Sequence, residues 1–236
     1  MTSMIEIKNL TFQYKHKRVF DQANMHIDDS GVYGLVAPNG TGKTTLLRLI
    51  VGLVKQSSGN ILINNEKNSR SNVFKTVAYF DDASSFSGMM KGRDYVDLVA
   101  KVHDLDQSNV ETMMEKLGVS KFIDKKIRTY SMGMKQRLQI TLVLLVDTPI
   151  ILLDEPLNGL DPTSLDIVQK AIFDLGKRGK LVIVSSHNLA ELARVTDVGI
   201  FINHQHLEIE KFKDYRHLKD QYAQLLHCLL YTSPSP

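Results

Sequence analysis

Three short runs of apolar residues stand out because hydrophobic and polar positions do not alternate within them. They lie at residues 31–36, 149–154 and 180–185. A strand that is covered by helices on both faces has this continuous pattern, whereas a strand with one face in water alternates. Helical patterns precede or follow each run. The chain is therefore predicted to have an α/β fold around a mainly parallel sheet.

Apolar spacing and end signals place two helices beside these strands. One starts at a glycine-rich loop and runs through residues 45–51, with Gly52 as its stop. The other starts where Asp161 can act as the N-cap and Pro162 as the first helical residue. Its apolar face is predicted to contain Leu165, Val168, Ile172 and Leu175.

The stretch between residues 84 and 147 has only helical patterns. Two sets of apolar residues in it follow the i, i+3, i+4, i+7 spacing of a helix face. They are Tyr95, Leu98, Val99 and Val102, and Val110, Met113, Met114 and Leu117. We predict an all-helical lobe at residues 83–147, inserted into a core of residues 1–82 and 148–226. Within that core, residues 5–27 and 59–64 are predicted to form an antiparallel β subdomain.

The last ten residues, 227–236, differ in character from the rest. They show no continuation of a helical pattern and end in alternating serine and proline. Residues 228–236 resemble the translated remnant of a sequencing adapter, which would place the native C-terminus outside this sequence. A short disordered end is the alternative, and the two interpretations have equal weight.

Composition narrows the classes of function. The 236 residues are 43% hydrophobic and 23% charged, as in a globular domain with a sizeable core. A net charge of +3 is too small to indicate a nucleic-acid partner, and the basic clusters at 15–18 and 121–128 are interpreted as solvated turns. One cysteine excludes an intrachain disulfide. Asp147 and Pro149 interrupt the longest apolar tract, so no membrane-spanning segment is predicted.

The loop after the first apolar run, LVAPNGTGKTT at 35–45, is close to the phosphate-binding pattern G-x-x-x-x-G-K-[ST]. Ala37 stands where the first glycine belongs. Backbone N–H groups at a helix N-terminus bind anions, Lys43 would reach the β- and γ-phosphates, and the Thr44 hydroxyl would hold Mg²⁺. A glycine turn with a solvated lysine is the alternative. The candidate nucleotide-binding residues of the loop are Asn39, Gly40, Thr41, Gly42, Lys43, Thr44 and Thr45.

The second apolar run ends in two adjacent carboxylates, Asp154 and Glu155. Asp154 is a candidate for the Mg²⁺ shell, and Glu155 is a candidate to polarise an attacking water. Carboxylates that simply end a strand are the alternative. After a phosphate loop in the same chain, however, this pair is the expected second half of a site for ATP hydrolysis.

The strings DEPLNGLDP at 154–162 and YSMGMKQRL at 130–138 resemble the ATP-binding subunit of an ABC transporter. The likeness runs from about residue 5 to about residue 203. It implies a P-loop NTPase core of the RecA-like type, and the Tyr-Ser-x-Gly-Met-Lys-Gln-Arg form at 130–137 resembles the drug-, lantibiotic- and bacteriocin-export branch.

Several residue roles are implied by this resemblance. Ser131 and Gly133 match the signature motif that contacts the γ-phosphate of ATP on a second subunit, and Ser131 is also placed to cap the following helix. Met132 and Met134 replace the usual Gly and Gln of that motif. Asp161 matches a loop that touches the partner subunit, or it merely caps the next helix.

Three further positions match the family outside these strings. His187 matches the histidine that reaches the γ-phosphate. Tyr14 matches the aromatic residue that stacks on adenine, although a tyrosine at a strand edge is an equally weighted alternative. Asp82 stands where the family usually has glutamine, and it leaves an oxygen ligand for Mg²⁺ or water.

As the resemblance implies, the protein would hydrolyse ATP with Mg²⁺ as a dimer of ATP-binding subunits. It would drive a separate transmembrane permease, docked near residues 80–90, from the cytoplasmic face of the membrane, and would export a drug, peptide or lantibiotic-like substrate. Two alternatives remain open. One is a soluble ABC-type ATPase that acts on ribosomes or DNA. The other is a weakened regulatory module, suggested by Ala37 and Asp82 and opposed by the presence of Glu155.

Overall fold

The computed structural model describes residues 4–15, 17–81 and 86–231, with side chains as far as Gln224. Its strands are β1 (Ile5–Tyr14), β2 (Lys17–Ile27), β3 (Gly31–Val36), β4 (Ser58–Ile63), β5 (Glu66–Lys67), β6 (Val77–Phe80), β7 (Ile150–Leu153), β8 (Leu181–Ser185), β9 (Val198–Asn203) and β10 (His206–Lys211). Its helices are α1 (Lys43–Ile50), α2 (Arg70–Thr76), α3 (Gly92–Val102), α4 (Gln107–Lys116), α5 (Met132–Val146), α6 (Pro162–Lys177), α7 (Leu189–Leu192) and α8 (Tyr215–Tyr231).

The strands form two sheets. Four N-terminal strands form an antiparallel sheet in the order β2-β1-β4-β5. The other six form a sheet in the order β10-β9-β3-β8-β7-β6, in which only the edge pair β10–β9 is antiparallel. The predicted α/β class, with a mainly parallel sheet and an antiparallel β subdomain, is therefore confirmed.

The three apolar runs of the sequence are the strands β3, β7 and β8 of the parallel sheet. Every residue of β7 and β8 is buried. Ile150 and Leu152 of β7 face a core that contains α1 and the antiparallel sheet, whereas Ile151 and Leu153 face a core that contains α5 and α6. Both faces of the strand are covered, which explains why its sequence does not alternate.

The two predicted core helices begin where their end signals lie. Asp161 caps α6 by accepting a hydrogen bond from the backbone N–H of Ser164, and Pro162 is the first helical residue. Helix α1 starts at Lys43 directly after Gly42, and Gly52 follows its end with a left-handed φ of 69°. The apolar side chains of α1 lie between the two sheets.

The described part of the segment between β6 and β7 contains helices α3, α4 and α5 and a 3₁₀ turn at Ile127–Thr129. Among its described residues, 86–149, the sole β interaction is an isolated bridge between Lys91 and Lys126. Helix α5 packs against both α3 and α4 and also against α6 and β6. It thereby connects the helical segment to the core.

The buried face of α3 differs from the predicted one. The spacing points to Leu98 and Val102 as core residues, but they are 54% and 51% exposed. Val96 and Ala100 are buried instead, at 0% and 3% exposure. Residues i and i+4 such as these lie on one helix face, so the helix is rotated toward its smaller side chains. On α4 the predicted residues Val110, Met114 and Leu117 are buried.

The C-terminal helix extends further than the sequence pattern predicts. Helix α8 reaches Tyr231, so the expectation of no helix from residue 227 onward is wrong for residues 227–231. The physical reason is that the first helix-breaking residue of the tail is Pro234. Whether this segment is native stays a prediction, and residues 232–236 lie outside the described part of the chain.

Across the described residues, we find no helix with both the length and the apolar character needed to cross a bilayer.

The burial of α3 gives a direct test of its packing. Val96→Ala should lower the free energy of unfolding by about 1–3 kcal/mol, because it removes methyl groups from a fully buried site. Leu98→Ala is the matched control on the exposed face and should change the free energy of unfolding by less than about 0.5 kcal/mol. Urea unfolding curves measure both, and the reverse ranking would show that the helix face is assigned wrongly.

Candidate active site

The loop between β3 and α1 has glycines where its backbone requires them. Gly40 has a φ of 74° and Gly42 a φ of 126°, which side chains rarely allow. A Cβ atom on Gly42 would also lie 2.6 Å from Cγ1 of Val19. Ala37, in contrast, is not among the described residues with positive φ. The missing first glycine therefore introduces no backbone strain.

Lys43 at the start of α1 is 7% exposed. Its Nζ donates a 2.7 Å hydrogen bond to the carbonyl oxygen of Ala37. Burial lowers the pKa of this ammonium, and the nearby carboxylates of Glu155 and Asp154 oppose that shift. The lysine is thus held inside the loop, with negative charge close by.

Asp154 follows the end of β7 and is 3% exposed. Burial raises the pKa of its carboxyl group, and hydrogen bonds from Ser185 and Thr44 act against this. The hydroxyl of Ser185 donates to Oδ1 of Asp154 over 2.5 Å. The hydroxyl of Thr44 and the carboxylate of Asp154, predicted to share a metal, are therefore brought together.

Glu155 has a left-handed backbone with a φ of 51°. This conformation costs a non-glycine residue about 1–2 kcal/mol. The backbone N–H of Glu155 donates to Oγ of Ser185 at 2.8 Å, and its carbonyl oxygen accepts a 3.3 Å bond from Gln136. Hydrogen bonds to both the N–H group and the carbonyl oxygen of Glu155 therefore hold its strained backbone conformation in place.

The side chain of Glu155 contacts His187, which follows β8. Its Oε2 lies 3.1 Å from Nδ1 of His187 and accepts a 3.2 Å hydrogen bond from the backbone N–H of the same residue. His187 is exposed, whereas Glu155 is largely covered. The structure thus joins a glutamate and a histidine that lie on two neighbouring strand ends and that were both predicted as catalytic.

A cavity of about 250 Å³ lies beside the loop. It contains the predicted residues of the loop except Thr41, whose hydroxyl donates instead to the carbonyl oxygen of Pro38 at 2.7 Å. Tyr14 of β1 lines the same cavity, so the hairpin brings an aromatic side chain to it. The lining residues are Tyr14, Lys17, Val19, Asn39, Gly40, Gly42, Lys43, Thr44, Thr45 and Glu155.

Lys17 is a cavity residue that the sequence pattern does not predict. A basic cluster such as 15–18 is typical of a solvated turn, but the Nζ of Lys17 donates a 2.8 Å hydrogen bond to the carbonyl oxygen of Gly40. The signal available in the sequence was its spacing from Tyr14. A residue three positions after Tyr14 across a tight hairpin faces the same side as the tyrosine.

Ser131, Gly133 and Asp161 lie away from this cavity. Oγ of Ser131 accepts a 3.2 Å bond from the backbone N–H of Met134 and caps α5. Gly133 is buried, and a Cβ atom there would lie 2.6 Å from Oγ of Ser164 and 3.0 Å from Oδ2 of Asp161. The glycine is therefore required by the close packing of α5 on the start of α6.

Asp82 lies outside the described residues. Its neighbour Asp81 forms a 2.7 Å ion pair with Arg48 of α1, and the carbonyl oxygen of Asp81 accepts a 2.7 Å hydrogen bond from Gln139 of α5. The end of β6 is thus attached both to the helix that follows the loop and to the helical segment.

The sequence model for the family described as "ABC transporter" matches residues 20–158, more than half of the chain. The chain belongs to the ABC transporter family. Similar curated proteins include the lantibiotic transport ATP-binding protein SrtF of Streptococcus pyogenes, 29% identical over 89% of this chain and 92% of that protein. The bacitracin transport ATP-binding protein BcrA of Enterococcus faecalis is 31% identical over 88% of this chain and 68% of that protein.

Solved structures share the fold of this ABC protein. An ATP-binding subunit of an ABC transporter superposes with a TM-score of 0.80 at 22% identity, covering 97% of this chain and 98% of that one. A dimeric ATP-binding cassette in a post-hydrolysis state, with ADP and Pi bound, superposes with a TM-score of 0.78 at 22% identity, covering 89% and 99%. With its family membership, this fold identifies the chain as an ABC-type ATPase.

Ala37→Gly tests whether the atypical loop is weakened. Because position 37 has no positive φ, the substitution should change ATP affinity only modestly and should lower stability by about 0.5–1 kcal/mol. Nucleotide titration and urea unfolding measure the two effects. Lys43→Ala is the reference for a damaged loop and should abolish hydrolysis. A large gain of activity in Ala37→Gly would contradict this interpretation.

Asp154→Asn should separate stability from activity. The folded protein should become more stable at pH 7, because burial disfavours the charged aspartate while an asparagine keeps the acceptor for Ser185. Because folding raises the pKa of Asp154, the wild type loses stability relative to the variant as this group becomes charged in the unfolded state. The advantage of the variant should be absent below the unfolded-state pKa, near 3.8, and should develop as the pH rises.

ATP hydrolysis by Asp154→Asn should be lost at every pH. Unfolding curves at pH 3.5 and pH 7 and a phosphate-release assay measure the two effects. A variant that loses stability at pH 7 would contradict the assigned burial cost.

Proposed function

We propose that this ABC protein hydrolyses ATP to drive a separate membrane permease that exports a peptide-like or drug substrate. The observation that carries the proposal is the Glu155–His187 pair, placed beside a cavity that also contains Lys43. The class of substrate follows from the relatives, whose names assign them to lantibiotic and bacitracin transport.

In the proposed complex, the cavity holds one ATP. The phosphates lie on the backbone N–H groups at the start of α1, where the helix dipole favours negative charge. The ammonium of Lys43 then exchanges its loop carbonyl for phosphate oxygens, because their negative charge attracts it more strongly than a neutral carbonyl oxygen does. Adenine lies on the ring of Tyr14, which is 46% exposed and lines the same cavity.

The side-chain oxygen atoms at this position are suitable ligands for Mg²⁺. The Thr44 hydroxyl is close enough to the Asp154 carboxyl group to lower its pKa as a hydrogen-bonding neighbour. Mg²⁺ is usually bound by one or two protein oxygens together with substrate phosphates and water. The described residues contain no cluster of three or more His, Cys, Asp or Glu side chains that would form an all-protein metal cage. We assign Thr44, Asp154 and, as a further oxygen ligand, Asp82 to the ion, which neutralises charge on the β- and γ-phosphates when bound.

Glu155 is assigned as the general base. Its carboxylate accepts a proton from the attacking water, while His187 orients the carboxylate and reaches the γ-phosphate. Ser185 and Gln136 hold the left-handed backbone of Glu155, and the backbone N–H of His187 holds Oε2, before ATP arrives. Hydrolysis therefore needs no large rearrangement of the base.

A second ATP-binding subunit is the next part of the proposal. Ser131 and Asp161 are exposed and do not line the cavity of their own chain. The N-terminus of α5, capped by Ser131, is the anion site that each subunit would offer to the ATP of the other. Gly133 supports that site through its packing against α6.

The permease would contact the chain near residues 80–90 and hold it at the cytoplasmic face of the membrane. Met89 in this region is 67% exposed, as expected for a residue that a partner covers. The division into a core of residues 1–82 and 148–226 and a lobe of residues 83–147 is part of the same proposal.

One argument for the alternative, a regulatory module without hydrolysis, was the atypical residue Ala37. This argument is removed, because Ala37 introduces no backbone strain.

Glu155→Gln tests the proposal. The variant should lower kcat for ATP hydrolysis by about a hundredfold to ten-thousandfold, because it removes the proton acceptor. ATP binding should persist, and dimers loaded with ATP should accumulate. A phosphate-release assay and size-exclusion chromatography with ATP and Mg²⁺ measure these effects.

The matched control is Glu115→Gln on the exposed side of α4, which should hydrolyse ATP like the wild type. Equal and negligible rates for the wild type and Glu155→Gln would contradict the assignment as an active ATPase. Reconstitution in vesicles with a candidate permease would test export itself.

A further inference from the structure

The cavity contains a second lysine besides Lys43. Lys17 lies at the start of β2 and lines the cavity together with Tyr14 and residues of the phosphate loop. Its Nζ donates a 2.8 Å hydrogen bond to the carbonyl oxygen of Gly40. A Cβ atom placed on Gly40 would lie 4.0 Å from the same Nζ. The ammonium of Lys17 therefore lies directly against the loop.

The β1–β2 hairpin determines where along the cavity this ammonium lies. Tyr14 and Lys17 are cross-strand partners in the antiparallel ladder. Directly opposite residues point to the same face of the sheet, with Cβ atoms about 5 Å apart. The Cβ atom of Lys17 therefore lies beside Tyr14, which is proposed to stack on the nucleobase, and its ammonium reaches Gly40 of the phosphate loop. In a nucleotide the α-phosphate lies between the base and the terminal phosphates, so this ammonium corresponds to the level of the first phosphate.

The chemistry of the contact favours exchange for an anion. A lysine ammonium has three donors, and in this structure one of them is assigned to the Gly40 carbonyl oxygen. A phosphate oxygen carries negative charge, so it adds a Coulomb attraction for the ammonium that a neutral carbonyl oxygen does not supply. A phosphate oxygen is thus a better partner than a carbonyl oxygen for this charge.

We propose that Lys17 is a further nucleotide-binding residue, whose ammonium contacts the α-phosphate of the bound nucleotide. The inference rests on the proposed function, because it places ATP in this cavity. Lys17 would add to the site a cation that belongs to the antiparallel sheet, whereas Lys43 belongs to the end of the loop. Displacement of the β1–β2 hairpin would then weaken nucleotide binding even when the loop is intact.

A purely structural role for Lys17 makes a different prediction. If the residue only holds the loop through the Gly40 carbonyl, any side chain that donates a hydrogen bond should replace it. Glutamine is such a side chain, and it has no charge. Lys17→Gln therefore distinguishes a contact with phosphate from support of the loop.

The experiment compares the affinities of ATP, ADP and adenosine for the full chain by equilibrium titration. Lys17→Met and Lys17→Gln should both weaken ATP and ADP by a similar factor of about ten at low salt, since both nucleotides contain the α-phosphate. Lys17→Arg should stay near the wild type. The loss should shrink as salt is added, because the contact is between exposed charges. Adenosine binding should not change.

Lys15→Met is the matched control. Lys15 is an exposed lysine of the same hairpin that is not among the residues lining the cavity, and its removal should leave all three affinities unchanged. Wild-type affinity in Lys17→Gln would overturn the proposal in favour of a loop-holding role. Weakened ATP binding with unchanged ADP binding would overturn the assignment to the α-phosphate.

The failure of this inference is separable from that of the proposed function. A wild type that binds and hydrolyses ATP, with unaltered affinity in Lys17→Met, would overturn the role of Lys17 alone. A wild type that neither binds nor hydrolyses ATP would overturn both.

Discussion

The site depends on the parallel pairing of β3, β8 and β7. In this register Leu35 lies opposite Ser185, and Val184 lies opposite Leu153. The three strands therefore end at one edge of the sheet, and the residues that follow them meet there. The loop comes from the first, His187 from the second, and Asp154 and Glu155 from the third. A shift of one residue in either pair would turn these ends apart, because the strand period is two.

Burial at that edge gives the site its electrostatic character. Asp154 and Lys43 are almost completely covered, and burial disfavours the charged form of each. Each one's charge also stabilises the other across the gap between loop and strand. Such an arrangement costs stability in the free protein. It leaves a cation and two carboxylates in a place of low dielectric, where their attraction for phosphate and Mg²⁺ is strong.

Much of this could be predicted from the sequence, because local patterns record local physics. Continuous apolar runs predict buried strands, and the cap at Asp161 is visible in the residues themselves. The orientation of α3 could not be predicted in the same way. The helix contains apolar residues on more than one face, and its packing against α4 and α5 selects Val96 over Leu98. Spacing alone does not rank two apolar faces.

The same limit explains Lys17 and Ala37. A basic cluster in a hairpin is usually solvated, and whether one of its lysines meets a loop depends on how the two sheets pack. The φ of residue 37 likewise depends on the path from β3 into α1, which no residue type reports by itself. The contact of Lys17 and the backbone conformation of Ala37 both depend on how segments distant in sequence pack together. They can therefore be known only from the tertiary structure.

Helix α5 shows how tertiary contacts extend the site beyond the strand ends. Its first residues pack on α6 through Gly133, and two buried glutamines further along it donate to the carbonyl oxygens of Glu155 and Asp81. One helix therefore touches Glu155, the end of β6 and the start of α6. Because its three contacts lie within about two turns, about 11 Å, a rigid helix cannot move at one of them and stay fixed at the others. The helical segment is thereby attached to the strand ends beside the cavity, although the two are far apart in sequence.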